Sequence, residues 1–251
     1  MKLNKTLLYT LLLSFAIAGN VYAETAEKKF DRGYQYIAQQ NYQAAFPIFK
    51  ELAEQGFVNA QYNLGLMYAN GQGVRQDYHQ AVKWFQKAAE QGEAAAQFNL
   101  GVMYENGDGV NQDYHQAVKW YQKAAEQGDA EAQSRLGFMY YNGKGISQDY
   151  HQAFKWFQKA AEKGDAKAQS RLGFMYYNGK GISQDYHKAF KWFQKAAEKG
   201  DAKAQAALGV LYLSGQGVRQ NNATGKIWFR KACDNGYQYA CDLYRQSNKG
   251  K

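Results

Sequence analysis

The chain has 251 residues with 25 Gly, a single Pro and two Cys, and 45% of its residues are hydrophobic. So much glycine with so little proline excludes collagen and Pro/Gly-rich disorder, while 21 Tyr, 14 Phe and 5 Trp can supply a substantial core. A formal net charge of +9 invites a nucleic-acid reading, but the lysines are spread along the chain, which argues for solubility and a mild preference for acidic partners.

Residues 1–23 open with Lys2 and Lys5, continue through an apolar run and end in Val21-Tyr22-Ala23, a small-x-small cleavage pattern. This predicts a secretory signal peptide cut after Ala23 and an exported protein, periplasmic or secreted. The run is shorter than the roughly 20 apolar residues of a membrane-spanning helix. It is also interrupted by Thr10, Ser14 and Gly19, and no Cys follows it for lipid attachment. Without Lys2 and Lys5 the chain keeps 29 basic against 22 acidic residues, about +7. No other stretch is apolar enough to span a membrane, so no integral membrane segment is expected after cleavage. Export also takes the protein away from nucleic acid.

Residues 24–56 carry Gly33, Tyr36 and Tyr42-Gln43-Ala44-Ala45-Phe46, with Pro47 expected to kink a second helix. From residue 57 a period takes over. Gly65, Gly101, Gly137, Gly173 and Gly209 recur every 36 residues, as do Trp84, Trp120, Trp156, Trp192 and Trp228. Self-similarity at this period predicts a solenoid of supersecondary units, none able to bury its apolar face alone.

Within one unit Ala60, Leu64, Met67 and Tyr68 share one face of a helix over about 59–70, which we term helix A. Gly71 suits the positive φ just past a helix end, and Gly71-Gln72-Gly73 turns the chain. Asp77 and Gln80 have the spacing of a capping box. Ala81, Trp84, Phe85, Ala88 and Ala89 then form the apolar stripe of helix B, closed by Gly92. Lys83 and Lys87, with their equivalents, fall on the opposite, solvated face. The expected fold is all-α, a superhelical α/α solenoid of antiparallel helix pairs, with units at 57–92, 93–128, 129–164, 165–200 and 201–236 and a terminal helix and tail at 237–251.

The run from Leu64 to Gly92, LGLMYANGQGVRQDYHQAVKWFQKAAEQG, resembles the Sel1-like repeat, a relative of the tetratricopeptide repeat. Residues 24–56, which lack the Gly-x-Gly loop, resemble an ordinary tetratricopeptide unit serving as N-terminal cap. Cys233 and Cys241 flank Gly236, near the end of the last helix B and one turn into the next helix, so both can face one seam. Cysteine-rich relatives use the same eight-residue step as a disulfide clamp, which here would contribute roughly 2 to 3 kcal/mol. A free thiol pair is the alternative.

Catalytic readings find little support. His79, His115, His151 and His187 hold one repeat position, so successive imidazoles stand on the order of 10 Å apart and cannot share a metal ion. The Gly-x-Gly loops follow a helix, not a strand, and supply no alternating oxygen ligands. None of the seven serines has a Lys three residues on, the spacing of serine enzymes acting on the β-lactam ring. The chain is therefore expected not to be an enzyme and to need no cofactor or metal. A weak β-lactamase-like or penicillin-binding activity, suggested by cysteine-rich relatives, is the alternative.

The family resemblance places helix A along a concave groove and carries the groove positions onto Tyr62, Asn63, Phe98 and Asn99 in the first two units. In the third and fourth it carries them onto Arg135, Phe138, Tyr141, Arg171, Phe174 and Tyr177. Aromatic side chains and Arg most often carry binding energy, so these six form the favoured patch. Packing between neighbouring helices is the other use for Phe138 and Phe174. Residues 134–169 and 170–205 differ only at Gln152 and Lys188, which duplication alone can explain. The resemblance implies a protein-binding scaffold, with an immunity or inhibitor protein that occupies an effector as a further possibility.

Overall fold

The computed structural model describes residues 24–249, so the signal-peptide expectation lies outside the described residues. Every regular element among these residues is an α-helix. Two compact units are present, divided after Lys87. The first holds α1 (Ala26–Ala38), α2 (Tyr42–Glu54), α3 (Val58–Asn70) and most of α4 (Tyr78–Glu90). The second continues from Ala88 through α5 (Ala94–Asn106), α6 (Tyr114–Glu126), α7 (Ala130–Asn142), α8 (Tyr150–Glu162), α9 (Ala166–Asn178), α10 (Tyr186–Glu198), α11 (Ala202–Ser214), α12 (Asn222–Asp234) and α13 (Gln238–Lys249). This is the all-α solenoid of helix pairs that the period of 36 implies.

Helix boundaries follow from caps. Asp129, Asp165 and Asp201 open α7, α9 and α11 by accepting backbone N–H bonds from Ala132, Ala168 and Ala204 at 2.6 to 2.7 Å. Glycine closes the A helices: Gly71, Gly107, Gly143, Gly179 and Gly215 all take left-handed backbone, with φ between 67° and 82°. Asp77 caps α4 through the Gln80 N–H at 3.0 Å. The reciprocal half of the expected capping box is replaced, because the Asp77 N–H donates to the Tyr68 carbonyl at 3.0 Å. The same bond recurs from Asp113, Asp149, Asp185 and Asn221, and it fixes each loop against its own helix A.

Two glycine positions are dictated by packing. A Cβ on Gly137 would stand 2.8 Å from the Phe157 ring, and one on Gly65, Gly173 or Gly209 would be 2.6 Å from its own partner ring. The absent side chain lets helix B press its fully buried aromatic against helix A. Gly73, Gly145, Gly181 and Gly217 end each loop against the first residue of the preceding helix B, where a Cβ would lie 2.1 to 2.3 Å from backbone atoms. Turn chemistry alone does not account for these glycines, because they also set the distance between repeats.

A buried glutamine completes each junction. Gln97, Gln133, Gln169 and Gln205 donate Nε2 to the carbonyls of Ala89, Ala125, Ala161 and Ala197 at 3.0 to 3.1 Å. Gln61 does the same to Ala53 in the first unit. On the outer face Lys83, Lys119, Lys155 and Lys191 are exposed. Lys87, Lys123, Lys159, Lys195 and Lys231 instead lie over the tryptophan three residues earlier, at 4.2 to 4.5 Å from the ring. The charged end of each lysine thus lies over the outer side of a tryptophan ring.

Both ends depart from the pattern. In the first unit Pro47 lies inside α2 on its exposed face, and the helix continues through it from Tyr42 to Glu54. At the other end Arg245 takes the register of the close-approach glycines and Ser247 that of the buried methionines. Cys233 of α12 and Cys241 of α13 are joined by a disulfide, with Cα atoms 4.7 Å apart.

Candidate functional site

In the second unit, successive A helices line an open groove of about 750 Å3. Its position follows from a substitution pattern. The second repeat places Phe98 over Tyr121, with ring centroids 5.8 Å apart. The third and fourth repeats replace that aromatic by Ser134 and Ser170 and move it one turn on, to Phe138 and Phe174. The small residues leave a trough and the displaced rings become its floor, Phe174 resting edge-on against Phe193 at 4.8 Å.

The serines also tie repeats together. Ser134 Oγ donates to Asp165 at 3.1 Å, and Ser170 Oγ to Asp201 at 3.0 Å. The Oδ1 of each aspartate thereby accepts twice, as helix cap and across the repeat junction, and its negative charge stays at the groove. Lys167 and Lys203 stand on the rim. Arg171 stacks its guanidinium 5.5 Å from the Phe138 ring centre, and no carboxylate pairs with it among the described residues.

Arg135 differs from Arg171 although the two repeats are nearly the same. Its Nη1 lies 3.4 Å from both oxygens of Glu105, whose Oε2 accepts a 2.6 Å bond from the Tyr121 hydroxyl. Burial, and then the hydrogen bond to Glu105, hold the Tyr121 phenol far above its ordinary value. Arg135 is thus partly neutralised, and the groove runs from a paired arginine to an unpaired one.

The expected patch is therefore divided. Arg135, Phe138, Arg171 and Phe174 line the groove with Phe98. Tyr141 and Tyr177 do not; they pack edge-on against Tyr150 and Tyr186, at 5.1 and 5.3 Å. Asn99 is half-buried in α5 and is also outside the lining. Tyr62 and Asn63 belong to the first unit. There Tyr62 packs near Phe85 at 5.9 Å, and the buried Asn63 amide donates to Asn59 O and Tyr34 Oη at 2.7 and 3.1 Å. Lys167, Lys203, Asn235 and Tyr237 join the groove without having been expected. They sit at or just before the starts of A helices, a register that the family's groove positions do not include.

The four histidines are exposed at the starts of B helices. Among the described residues no group of three or more His, Cys, Asp or Glu could hold a metal ion, and no helix is long and apolar enough to cross a membrane.

The Sel1 repeat model matches residues 58–93, 94–129, 130–165, 166–201 and 202–237. No curated protein matches the chain. Among solved structures, a protective antigen of uropathogenic Escherichia coli with an SLR fold is 38% identical, with a TM-score of 0.83 over 90% of this chain. The chain spans about half of that antigen, 49% of its length. A Sel1 repeat protein from Oxalobacter formigenes is 34% identical with a TM-score of 0.80, covering 85% of this chain and 88% of the other. A chain of the APC/C hetero-tetramer Cut9–Hcn1 shares the fold alone, at 18% identity and a TM-score of 0.58, over 95% of this chain and 45% of the other. With five consecutive matches covering residues 58–237 and two similar structures above 30% identity, the chain belongs to the Sel1 repeat family.

Proposed function

We propose that this protein is an exported scaffold that binds another protein in the groove of its second unit, and that its role is binding, not catalysis. The observation that carries the reading is the Phe138–Phe174 floor beside Arg171, an apolar trough with an unpaired guanidinium at its edge. Aromatic area buries at low entropic cost and Arg forks onto carboxylates, so the matching partner presents an acidic segment with apolar side chains. Export is supported by the pattern of residues 1–23 and by a disulfide, which persists in oxidising compartments.

The test is affinity capture from an envelope extract of the source bacterium, with wild-type protein and the Arg135→Glu/Arg171→Glu variant side by side. A partner retained by the wild type and lost by the variant supports the reading, and equal recovery overturns it. Export is tested separately, by placing residues 1–23 before a leaderless alkaline phosphatase and measuring its activity outside the cytoplasm. Turnover of a chromogenic penicillin by the purified protein would contradict the non-catalytic part.

A further inference from the structure

Outside the groove, the second unit repeats a two-tyrosine arrangement. Tyr141 and Tyr150 meet at 5.1 Å with a 67° interplanar angle, and Tyr177 and Tyr186 at 5.3 Å with 66°. Each pair is covered by the middle residue of the Gly-x-Gly loop from the following repeat. Over the first pair that residue is Lys180, whose ammonium lies 5.3 Å from the Tyr141 ring centre and 5.2 Å from that of Tyr150. Hydrogen bonding to Tyr141 raises the pKa of this lysine, so the two phenols favour the charged form.

Over the second pair the same loop carries Gln216. Its side chain turns to the edge of the pair, where Oε1 accepts from Ser214 Oγ at 3.2 Å and lies 3.5 Å from the Tyr177 hydroxyl. The covering loop also carries Ser214, Val218 and Arg219 where the preceding one has Asn178, Ile182 and Ser183, and within the repeat itself Lys188 replaces Gln152 and is engaged elsewhere. Its ammonium sits 3.6 Å from Asp185 and over the Tyr176 ring at 5.5 Å. One repeat therefore shows a cation held over two tyrosines, and the next shows the same rings with no cation over them among the described residues and an amide oxygen beside them.

We infer that the Tyr177–Tyr186 pair is a binding site for a primary alkylammonium, the side chain of a lysine on a partner protein, in the place that Lys180 fills one repeat earlier. The quadrupoles of two rings attract the charge, and Gln216 Oε1 supplies an acceptor for one of its N–H groups. Only the source of the ammonium rests on the scaffold reading; the site itself does not.

The experiment titrates the chain from residue 24 onward with N-acetyl-lysine N-methylamide and follows the tyrosine ring resonances by NMR, with the norleucine analogue as the uncharged control. Wild type is expected to show one saturable set of shifts, at Tyr177 and Tyr186. Gln216→Lys, which copies the loop of the preceding repeat, is expected to weaken binding by about tenfold or more. Lys180→Gln is expected to open a second site at Tyr141 and Tyr150. Equal shifts from the norleucine analogue, no saturable shift in wild type, or a Gln216→Lys variant that titrates like wild type would each overturn the inference. None of these results depends on Arg135 or Arg171, so failure here and failure of the groove reading are distinguishable.

Discussion

Arg135 reaches back one repeat to Glu105, placing Nη1 3.4 Å from both carboxylate oxygens. Glu105 has a second partner, the Tyr121 hydroxyl at 2.6 Å, and Tyr121 stands where the other repeats place Phe85, Phe157, Phe193 and Phe229. Tyrosine and glutamate thus occur together in one repeat, and neither is explained without the other. Glu105→Leu alone leaves the phenol of a fully buried ring without its acceptor and should cost about 1 to 3 kcal/mol. Adding Tyr121→Phe should recover most of that loss. Thermal denaturation of the two single variants and the double variant reads the coupling.

The same phenol has a consequence at high pH. Its pKa is raised above the ordinary 10.0 in the folded protein, so below about pH 10 both states keep the proton and nothing is lost. Above that pH the unfolded chain ionises while the folded one does not, and stability falls as pH rises. Tyr121→Phe should therefore show a shallower alkaline loss than wild type in urea unfolding between pH 9 and pH 11. Parallel curves would refute this assignment.

In the proposed groove, the pairing of Arg135 predicts unequal arginines. Arg171→Ala should weaken partner binding more than Arg135→Ala, because a partner carboxylate must compete with Glu105 for Arg135 alone. Glu105→Gln should narrow the gap by releasing Arg135. Titration of a captured partner against the three variants measures the order, and a larger loss from Arg135→Ala in the wild-type background would contradict it.

Junctions between repeats predict a gain. Gln127 Nε2 serves two acceptors, Gly92 O at 2.9 Å and Gln97 Oε1 at 2.8 Å. One and two repeats on, Lys163 and Lys199 replace it and reach only Gly128 O and Gly164 O. The buried Oε1 atoms of Gln133 and Gln169 are left without a hydrogen bond. Lys163→Gln and Lys199→Gln should each stabilise by about 1 kcal/mol, seen as a higher melting temperature.

In the first unit, Gln40 is the one non-glycine residue with positive φ among the described residues, at 58°. It ends the α1 turn where the later repeats use glycine. Gln40→Gly should raise stability by about 1 kcal/mol, despite the greater freedom it gives the unfolded chain. Gly137→Ala should do the opposite by about 1 to 3 kcal/mol, since the added methyl meets the Phe157 ring. A Phe157→Leu partner change should restore part of that loss, and calorimetry of the pair checks both.

The helix pairs were legible because Gly, Ala and Trp recur wherever backbone must turn, approach or be filled, so packing wrote itself into a period. What escaped was chemistry between repeats. The bonds from Ser134 to Asp165 and from Gln127 to Gln97 join residues 31 and 30 positions apart, and only the stacking register brings them together. A signal for the glutamines was present, since Gln61, Gln97, Gln133, Gln169 and Gln205 fall beside the buried alanines of each helix A. The expected patch joined Tyr141 and Tyr177 to the arginines because the family's groove positions carry onto all of them. It missed that the loop of the next repeat draws these tyrosines to its own side.

The near-identity of residues 134–169 and 170–205 makes the protein a ruler with interchangeable segments. Removing residues 134–169 rejoins the seams with native residue pairs, because Arg171 would then take the place of Arg135 beside Glu105 while Ser170 keeps Asp201. Groove length is then set by copy number, and unequal recombination between two almost identical stretches of coding sequence can shorten or extend the reach of the scaffold in one step without composing a new interface.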